Sequence, residues 1–105
     1  MTRKVGARVG AMLGAGDKLV RFLGYGTYVG DEVPPPTIGG FNIGLPNPKI
    51  KLDSGKIVWG CECWWGSEEG MKAKVEAWRK AGYTIEDVDI DAARAAVKER
   101  SETSK

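Results

Sequence analysis

The stretch "PKIKLDSGKIVWGCECWW", residues 48 to 65, indicates the fold most clearly, because it has the pattern of an antiparallel hairpin. Ile50 and Leu52 alternate with lysines, as in a strand with one buried face. Asp53-Ser54-Gly55 has the composition of a tight turn, and a return strand begins at Ile57. The stretch therefore predicts two paired strands.

The return strand contains three tryptophans and both cysteines of the chain within residues 57 to 66. Side chains of a strand alternate between its faces. One predicted face carries Ile57, Trp59, Cys61, Cys63 and Trp65, and the other carries Val58, Gly60, Glu62 and Trp64. The cysteines then share a face with large apolar residues, which is typical of small buried hydrophobes and not of metal ligands. Trp64 lies on the other predicted face, and the pattern leaves open whether the long loop covers it or whether it is free to bind.

A helix is predicted over residues 68–81. Ser67 is a favourable N-cap, and acidic residues follow it in the first turn. The apolar residues recur at spacings of four and three, which places them on one helical face; they are Met71, Val75, Trp78 and Ala81. Gly82 ends the helix.

A final strand and a second helix are predicted after Gly82. The segment "YTIEDVDI", residues 83 to 90, has strand composition. Asp91 is the expected cap of a short helix from Ala92 to about Arg100, and residues 101–105 are expected to be a disordered tail.

The first half of the chain predicts short strands separated by glycines. Residues 5–13 and 17–23 have strand composition, and Gly24-Tyr25-Gly26 is predicted to turn the chain into a returning strand at Thr27. Residues 30–48 contain all five prolines and four of the fifteen glycines. We expect a long loop there, and loops of this length in small domains are often functional.

These elements predict an α+β protein. With 105 residues we expect a single small domain, residues 1–100. Its core is a strongly bent antiparallel sheet or an SH3-like barrel, with one packed helix at 68–81 and a short C-terminal helix. The high glycine content favours such a loop-rich β architecture over a helical bundle.

The segment "GDKLVRFLGYGTYVGDEV", residues 16 to 33, resembles the KOW type of small barrel found in ribosome- and transcription-associated proteins. The resemblance covers less than a fifth of the chain. It implies a small barrel, and no residue role is carried over from it.

No residue pattern indicates catalysis, a metal site or a cofactor. The chain has no histidine, so Ser-His, Cys-His and His-ligated metal sites are excluded. Cys61 and Cys63 lie beside Glu62, which opposes the thiolate that reactive cysteines need. The calcium-loop pattern fails in "DVDIDAARAAVKE", residues 87 to 99, because Ala92 replaces the required glycine and Lys98 the bidentate glutamate.

The net charge of +2 is unevenly distributed. Up to Lys56, eight basic residues face four acidic ones, a balance of +4, whereas the rest of the chain has eight basic and ten acidic residues. The candidate nucleic-acid contacts on the basic half are Arg3, Lys4, Arg8, Arg21, Lys49 and Lys51. No apolar run approaches the roughly 20 residues of a membrane span, so we expect a cytoplasmic protein without membrane contacts.

Aromatic residues in polar or glycine-rich segments are the candidate ligand-binding residues: Tyr25, Tyr28, Phe41 and Trp64. The leading hypothesis is a non-enzymatic interaction or regulatory module of bacterial or phage type. It would hold a protein partner with these aromatics and the long loop. Two alternatives stay open. One is a nucleic-acid-binding small barrel, and the other is a small-molecule or nucleotide binder with a pocket between Trp64, Trp65 and the loop. The oligomeric state is left open.

Overall fold

A 14-residue strand, β2, organises the fold. The computed structural model describes residues 4–35 and 44–103, with side chains as far as residue 96. The elements in chain order are β1 (Arg8–Gly16), β2 (Leu19–Glu32), β3 (Asn47–Leu52), β4 (Ile57–Trp59), β5 (Trp64–Ser67), α1 (Glu68–Lys80), β6 (Thr84–Asp87) and α2 (Ile90–Thr103).

Both edges of β2 carry neighbouring strands. β1 pairs with residues 19–27 along one edge. On the other edge, β6 pairs in parallel with residues 19–22, and β3 pairs antiparallel with residues 26–32. The two strands on this second edge are separated by residues 23–25 of β2. A gap therefore separates β3 from β6.

The predicted turn at Gly24-Tyr25-Gly26 is wrong, because β2 runs through it without a break. The hairpin turn lies earlier, at Asp17 and Lys18, whose φ angles of 52° and 62° are the left-handed pair that a two-residue β-hairpin needs. Gly26 instead allows the backbone of β3 to lie close to β2. A Cβ on Gly26 would lie 2.7 Å from the Leu52 Cα and would also overlap the Lys51 carbonyl.

The sheet is open. Its main path runs β4-β3-β2-β1-β5, and all four pairings along it are antiparallel, while β6 adds the parallel pairing to β2. In the described ranges no pairing joins β4 to β5. The α+β class is therefore confirmed with an open sheet and two helices, and the SH3-like barrel is not confirmed.

Two hydrophobic clusters stabilise the sheet. The first contains Val9, Ala11, Tyr28, Ile50, Leu52, Val58 and Ile90. The second contains Met12, Val20, Phe22, Met71 and Val75, and it is where α1 packs on the sheet. Because Ile90 belongs to the first cluster, α2 contributes to one core and α1 to the other.

The predicted hairpin at residues 48–65 and the predicted helix at 68–81 are both present. Ser67 caps α1, accepting a hydrogen bond from the Gly70 amide at 3.0 Å. The return strand is shorter than predicted, because a turn at residues 60–63, closed by a 2.8 Å bond from the Glu62 amide to the Trp59 carbonyl, separates β4 from β5. This turn interrupts the alternation of side chains that a single strand would have. Val58 and Trp65, which were predicted on opposite faces, therefore both pack in the first cluster.

The helix α2 begins before its predicted start. Asp89, and not Asp91, lies at the cap position, where its carboxylate accepts from the Ala92 amide at 3.4 Å. The helix then continues to Thr103, so it includes three residues of the predicted tail. β6 is confined to Thr84–Asp87 within the predicted strand at 83–90.

Candidate functional site

The two candidate tyrosines lie inside β2 and not at a hairpin tip. Tyr28 is buried, its hydroxyl donates to Asp31 at 2.6 Å, and its ring stacks on Trp65 with centroids 5.7 Å apart. The hydrogen bond to the Asp31 carboxylate, together with burial, raises the pKa of Tyr28. These contacts make Tyr28 part of the first cluster.

Tyr25 packs against the second cluster. Its ring meets Phe22 edge-on at 5.0 Å, and the Lys72 ammonium lies 5.6 Å from the ring centroid. Tyr25 is half-buried beneath α1. Phe41 lies outside the described residues.

Trp64 differs from the other candidates because 72% of its surface is exposed. It is the first residue of β5 and pairs with Met12 of β1, whereas Trp65 pairs with Ala11 and packs into the first cluster. Consecutive strand residues point to opposite faces. The two tryptophans therefore lie on opposite faces of the sheet, and the predicted pocket between them and the loop stays a prediction, because residues 36–43 lie outside the described residues.

Next to Trp64 the backbone of β1 lacks a neighbouring strand. On the edge of β1 that faces away from β2, β5 pairs with residues 9–12 and extends no further. Within the described residues, no strand pairs with Leu13–Gly16 on this side. We call this segment the free β1 edge. The chain leaves β1 before Trp64 at the turn of residues 60–63.

The free β1 edge is sterically open. A Cβ built on Gly14 or on Gly16 would meet no atom within 4 Å. An unpaired edge exposes backbone donors and acceptors in strand geometry, and proteins usually protect such edges with proline, lysine or a covering segment. Leu13–Gly16 has neither a proline nor a charged residue, and the irregularity of the β1–β2 pairing at Leu13 is the one protective feature of this edge among the described residues.

Arg21 lies directly behind this edge. It is exposed and pairs with Gly14 on β1 and with Glu86 on β6. Paired residues on neighbouring strands share a face. Because Gly14 has no side chain, no side chain of β1 separates Arg21 from the free β1 edge at this position. Among the residues that the structure describes, none forms a salt bridge with Arg21.

Two of the other candidate basic residues are already paired with carboxylates. Arg8 makes a bidentate pair with Asp53, both distances 2.7 Å, and also contacts Glu68 at 2.8 Å. These bonds raise the pKa of Arg8 and lower that of Asp53. Lys49 contacts Glu32 at 3.4 Å and lies 5.6 Å from the Trp59 ring centroid.

The remaining cations are dispersed. Lys4 and Lys51 are exposed like Arg21, and Arg3 lies outside the described residues. Thr27, the β2 partner of Lys51, is six residues from Arg21, about 20 Å along a strand. Arg8 and Lys51 both pair with Thr27, so they share one face of the sheet about 10 Å apart, and Arg21 lies outside this group.

A shallow groove fills the gap between β3 and β6. Its volume is about 270 Å³, and its lining combines apolar residues with charged ones: Leu23, Leu52, Ser54, Lys56, Asp87, Val88, Asp89 and Ile90. Lys56 bridges Asp89 and Asp91 across one side of this groove, with 2.8 Å between the Lys56 ammonium and Asp91. These contacts raise the pKa of Lys56 and lower that of Asp89.

The cysteines are in an environment that suppresses reactivity. Burial, and then the nearby Glu62 carboxylate, raise the pKa of Cys63 to about 12 and shift that of Cys61 upward. The Cys63 thiol also lies 3.4 Å from the Trp59 carbonyl. Among the described side chains, residues 4–35 and 44–96, no group of three Cys, Asp or Glu is placed to hold a metal ion.

Comparison with protein-family models, with curated proteins and with solved structures finds no match to this chain. Across the described ranges, no helix is long and apolar enough to cross a membrane. The functional assignment therefore rests on the geometry of the site.

Sequence reasoning missed the free β1 edge. The signal was present in "LGAG", residues 13 to 16, which has small residues at the end of a strand and none of the protective residues of an edge. It could not be interpreted from the sequence because the length of the β1–β5 pairing depends on contacts between segments about 50 residues apart.

Proposed function

We propose that this protein is a non-enzymatic interaction module that binds an extended segment of a partner protein. The segment adds as a strand to the free β1 edge and packs on Trp64. The observation that carries this proposal is the adjacency of an unpaired strand edge and a 72%-exposed tryptophan at the end of β5.

Strand addition uses backbone hydrogen bonds for affinity and side-chain contacts for specificity. The free β1 edge supplies the backbone groups, and its glycines leave room for an incoming chain. Trp64 supplies the aromatic anchor, since tryptophan is among the residues that contribute most to binding at interfaces. The added strand would continue the line of β5 along β1, past the irregularity of the β1–β2 pairing at Leu13.

Peptide selection tests the proposal. A display library of random linear peptides is selected against the wild-type protein, and the enriched peptides are counter-screened against Trp64→Ala. We expect peptides that bind the wild type and lose at least about ten-fold in affinity with Trp64→Ala, as for an interface hot spot. On binding, amide exchange of Leu13–Gly16 should slow.

Two control variants test whether the selected peptides bind at the free β1 edge or at the long loop. Val33→Ala and Leu45→Ala each remove an exposed apolar side chain, 52% and 57% accessible, from the segments that flank residues 36–43. Neither should weaken the selected peptides. If repeated selections yield no Trp64-dependent peptide, or if bound peptides protect other strands and not residues 13–16, the proposal is wrong.

A further inference from the structure

Arg21 gives the free β1 edge a charge preference. From its position we infer that the partner segment carries an acidic side chain, Asp or Glu, which pairs with Arg21 across Gly14. This inference rests on the proposed strand addition and names the chemistry of its partner.

The register sets the position of the acidic residue. Gly14 is paired with Arg21, so the residue of an added strand opposite Gly14 lies on the same face as Arg21. Two strand spacings separate β2 from the added strand, about 10 Å. Because Gly14 has no side chain, the Arg21 side chain and the acidic side chain of the added strand can extend toward each other over the glycine.

Arg21 is available for an incoming carboxylate. Arg21 is exposed and makes no salt bridge with any described residue, so an incoming carboxylate replaces no existing ion pair. Glu86 lies on the β6 side of Arg21, away from the free β1 edge. Asp17 follows the edge in the hairpin turn, beyond Gly16, and would repel an acidic residue placed there. The position opposite Gly14 is therefore the one at which the edge selects an acid.

The experiment compares peptide selections against two proteins. Wild type should enrich Asp or Glu at one fixed position of the Trp64-dependent peptides. Arg21→Glu should enrich Lys or Arg at that same position. For a wild-type peptide, Arg21→Ala should reduce affinity about two- to five-fold, as expected for a solvent-exposed ion pair, and Arg21→Lys should restore part of the loss. The affinity of the acidic peptide should fall as salt is raised.

Lys51→Glu is the matched control. It reverses an exposed charge on β3, so it changes net charge as Arg21→Glu does, and it should leave the peptide preference unchanged. Thermal unfolding of each variant confirms that the substitutions leave the protein folded.

The outcomes separate this inference from the proposed function. Trp64-dependent peptides without an acidic preference, or with a preference that Lys51→Glu also reverses, would disprove the role of Arg21 while strand addition stands. If no Trp64-dependent peptide is selected, the proposed function fails and the inference fails with it. Self-association of the chain through this edge, detected as a dimer that Trp64→Ala dissolves, would replace the partner peptide with a second copy.

Discussion

Arg94 of α2 and Glu62 of the turn between β4 and β5 form a bidentate ion pair, with both nitrogen–oxygen distances at 2.7 Å. Arg94 also donates to the Ile57 carbonyl at 2.9 Å, and Glu62 accepts from the Trp59 amide at 3.2 Å. Only 10% of the Glu62 side chain is exposed. This pair therefore attaches the C-terminal helix to the sheet through groups that are partly removed from water.

Breaking this pair should destabilise the protein. Glu62→Gln removes the bidentate carboxylate from the Arg94 guanidinium, whose remaining ion pair among the described residues is the longer 3.7 Å contact with Asp91. Hydrogen bonds to charged groups contribute about 1.5–3 kcal/mol each. We expect a loss of about 1–3 kcal/mol in the free energy of unfolding, measured by urea denaturation. Glu76→Gln is the control, because its pair with Lys80 lies on the surface at 3.8 Å and should contribute less than about 0.5 kcal/mol. Equal losses for the two variants would contradict this interpretation.

Gly26 should tolerate no side chain. A Cβ there would overlap backbone atoms of β3, which cannot move without breaking the β2–β3 pairing. Gly26→Ala should cost at least about 1–3 kcal/mol of stability by overpacking, seen as a lowered midpoint of thermal unfolding. Gly14→Ala should change stability by less than about 1 kcal/mol, because open space surrounds that position. A neutral Gly26→Ala would mean that β3 lies further from β2 than the structure shows.

Trp64 and Trp65 should contribute unequally to stability. Trp65 stacks on Tyr28 and packs on the first cluster, so Trp65→Ala should cost about 2–4 kcal/mol. Trp64 is mostly exposed, and Trp64→Ala should stay within about 0.5–1 kcal/mol of wild type. Urea denaturation of both variants checks this. A large loss for Trp64→Ala would assign that side chain a packing role and remove it from the binding proposal.

The bridge from Lys56 to Asp89 and Asp91 should be sensitive to acid and to salt. The pKa of Asp89 is lowered in the folded protein, so the stabilisation is present above the unfolded pKa and is lost as pH falls through the folded one. Lys56→Met should therefore lower the melting temperature at neutral pH. The difference from wild type should shrink below about pH 4 and at high salt. A difference that persists under both conditions would indicate packing and not charge.

The Cys63 thiol should make the folded protein less stable at alkaline pH. Its pKa is raised from an ordinary 9.0 to about 12, so above pH 9 the unfolded chain loses a proton that the folded protein retains. By linkage, unfolding becomes easier as pH rises through this window. From about pH 8 to about pH 10.5, wild type should lose up to about 2 kcal/mol more than Cys63→Ala.

Thiol labelling gives the control for this pH dependence. In Cys61→Ser, the remaining Cys63 thiol should react with a disulfide reagent only after the protein is unfolded. Rapid labelling of folded Cys61→Ser at neutral pH would show that Cys63 is accessible and that its pKa is not raised.

The sequence predicted the elements whose signals are local. The helix α1 begins where Ser67 and the acidic first turn indicated, because capping depends on neighbouring residues alone. The hairpin from β3 to β4 follows from alternation around Asp53-Ser54-Gly55 for the same reason. The exposure of Trp64 beside a half-buried Trp65 agrees with the alternation of strand side chains.

The errors occurred where a residue serves a distant segment. Gly24 and Gly26 have the composition of a turn, yet Gly26 is required for the approach of β3, which lies 25 residues further along the chain. The free β1 edge depends on where β5 ends. Arg21 was selected as a nucleic-acid contact from charge alone, and only the pairing register places it behind Gly14. A short stretch of sequence does not contain the information that determines these strand pairings.

The central position of β2 has a consequence for synthesis of the chain on the ribosome. β2 is translated before the segments that complete both cores, because the first cluster needs Ile90 and the second needs the helix residues Met71 and Val75. The second core cannot be completed before Val75 has been translated, and the first cannot be completed before Ile90. Throughout that interval the apolar residues of β2 lack their core partners, and exposed apolar strands of this kind are prone to aggregate.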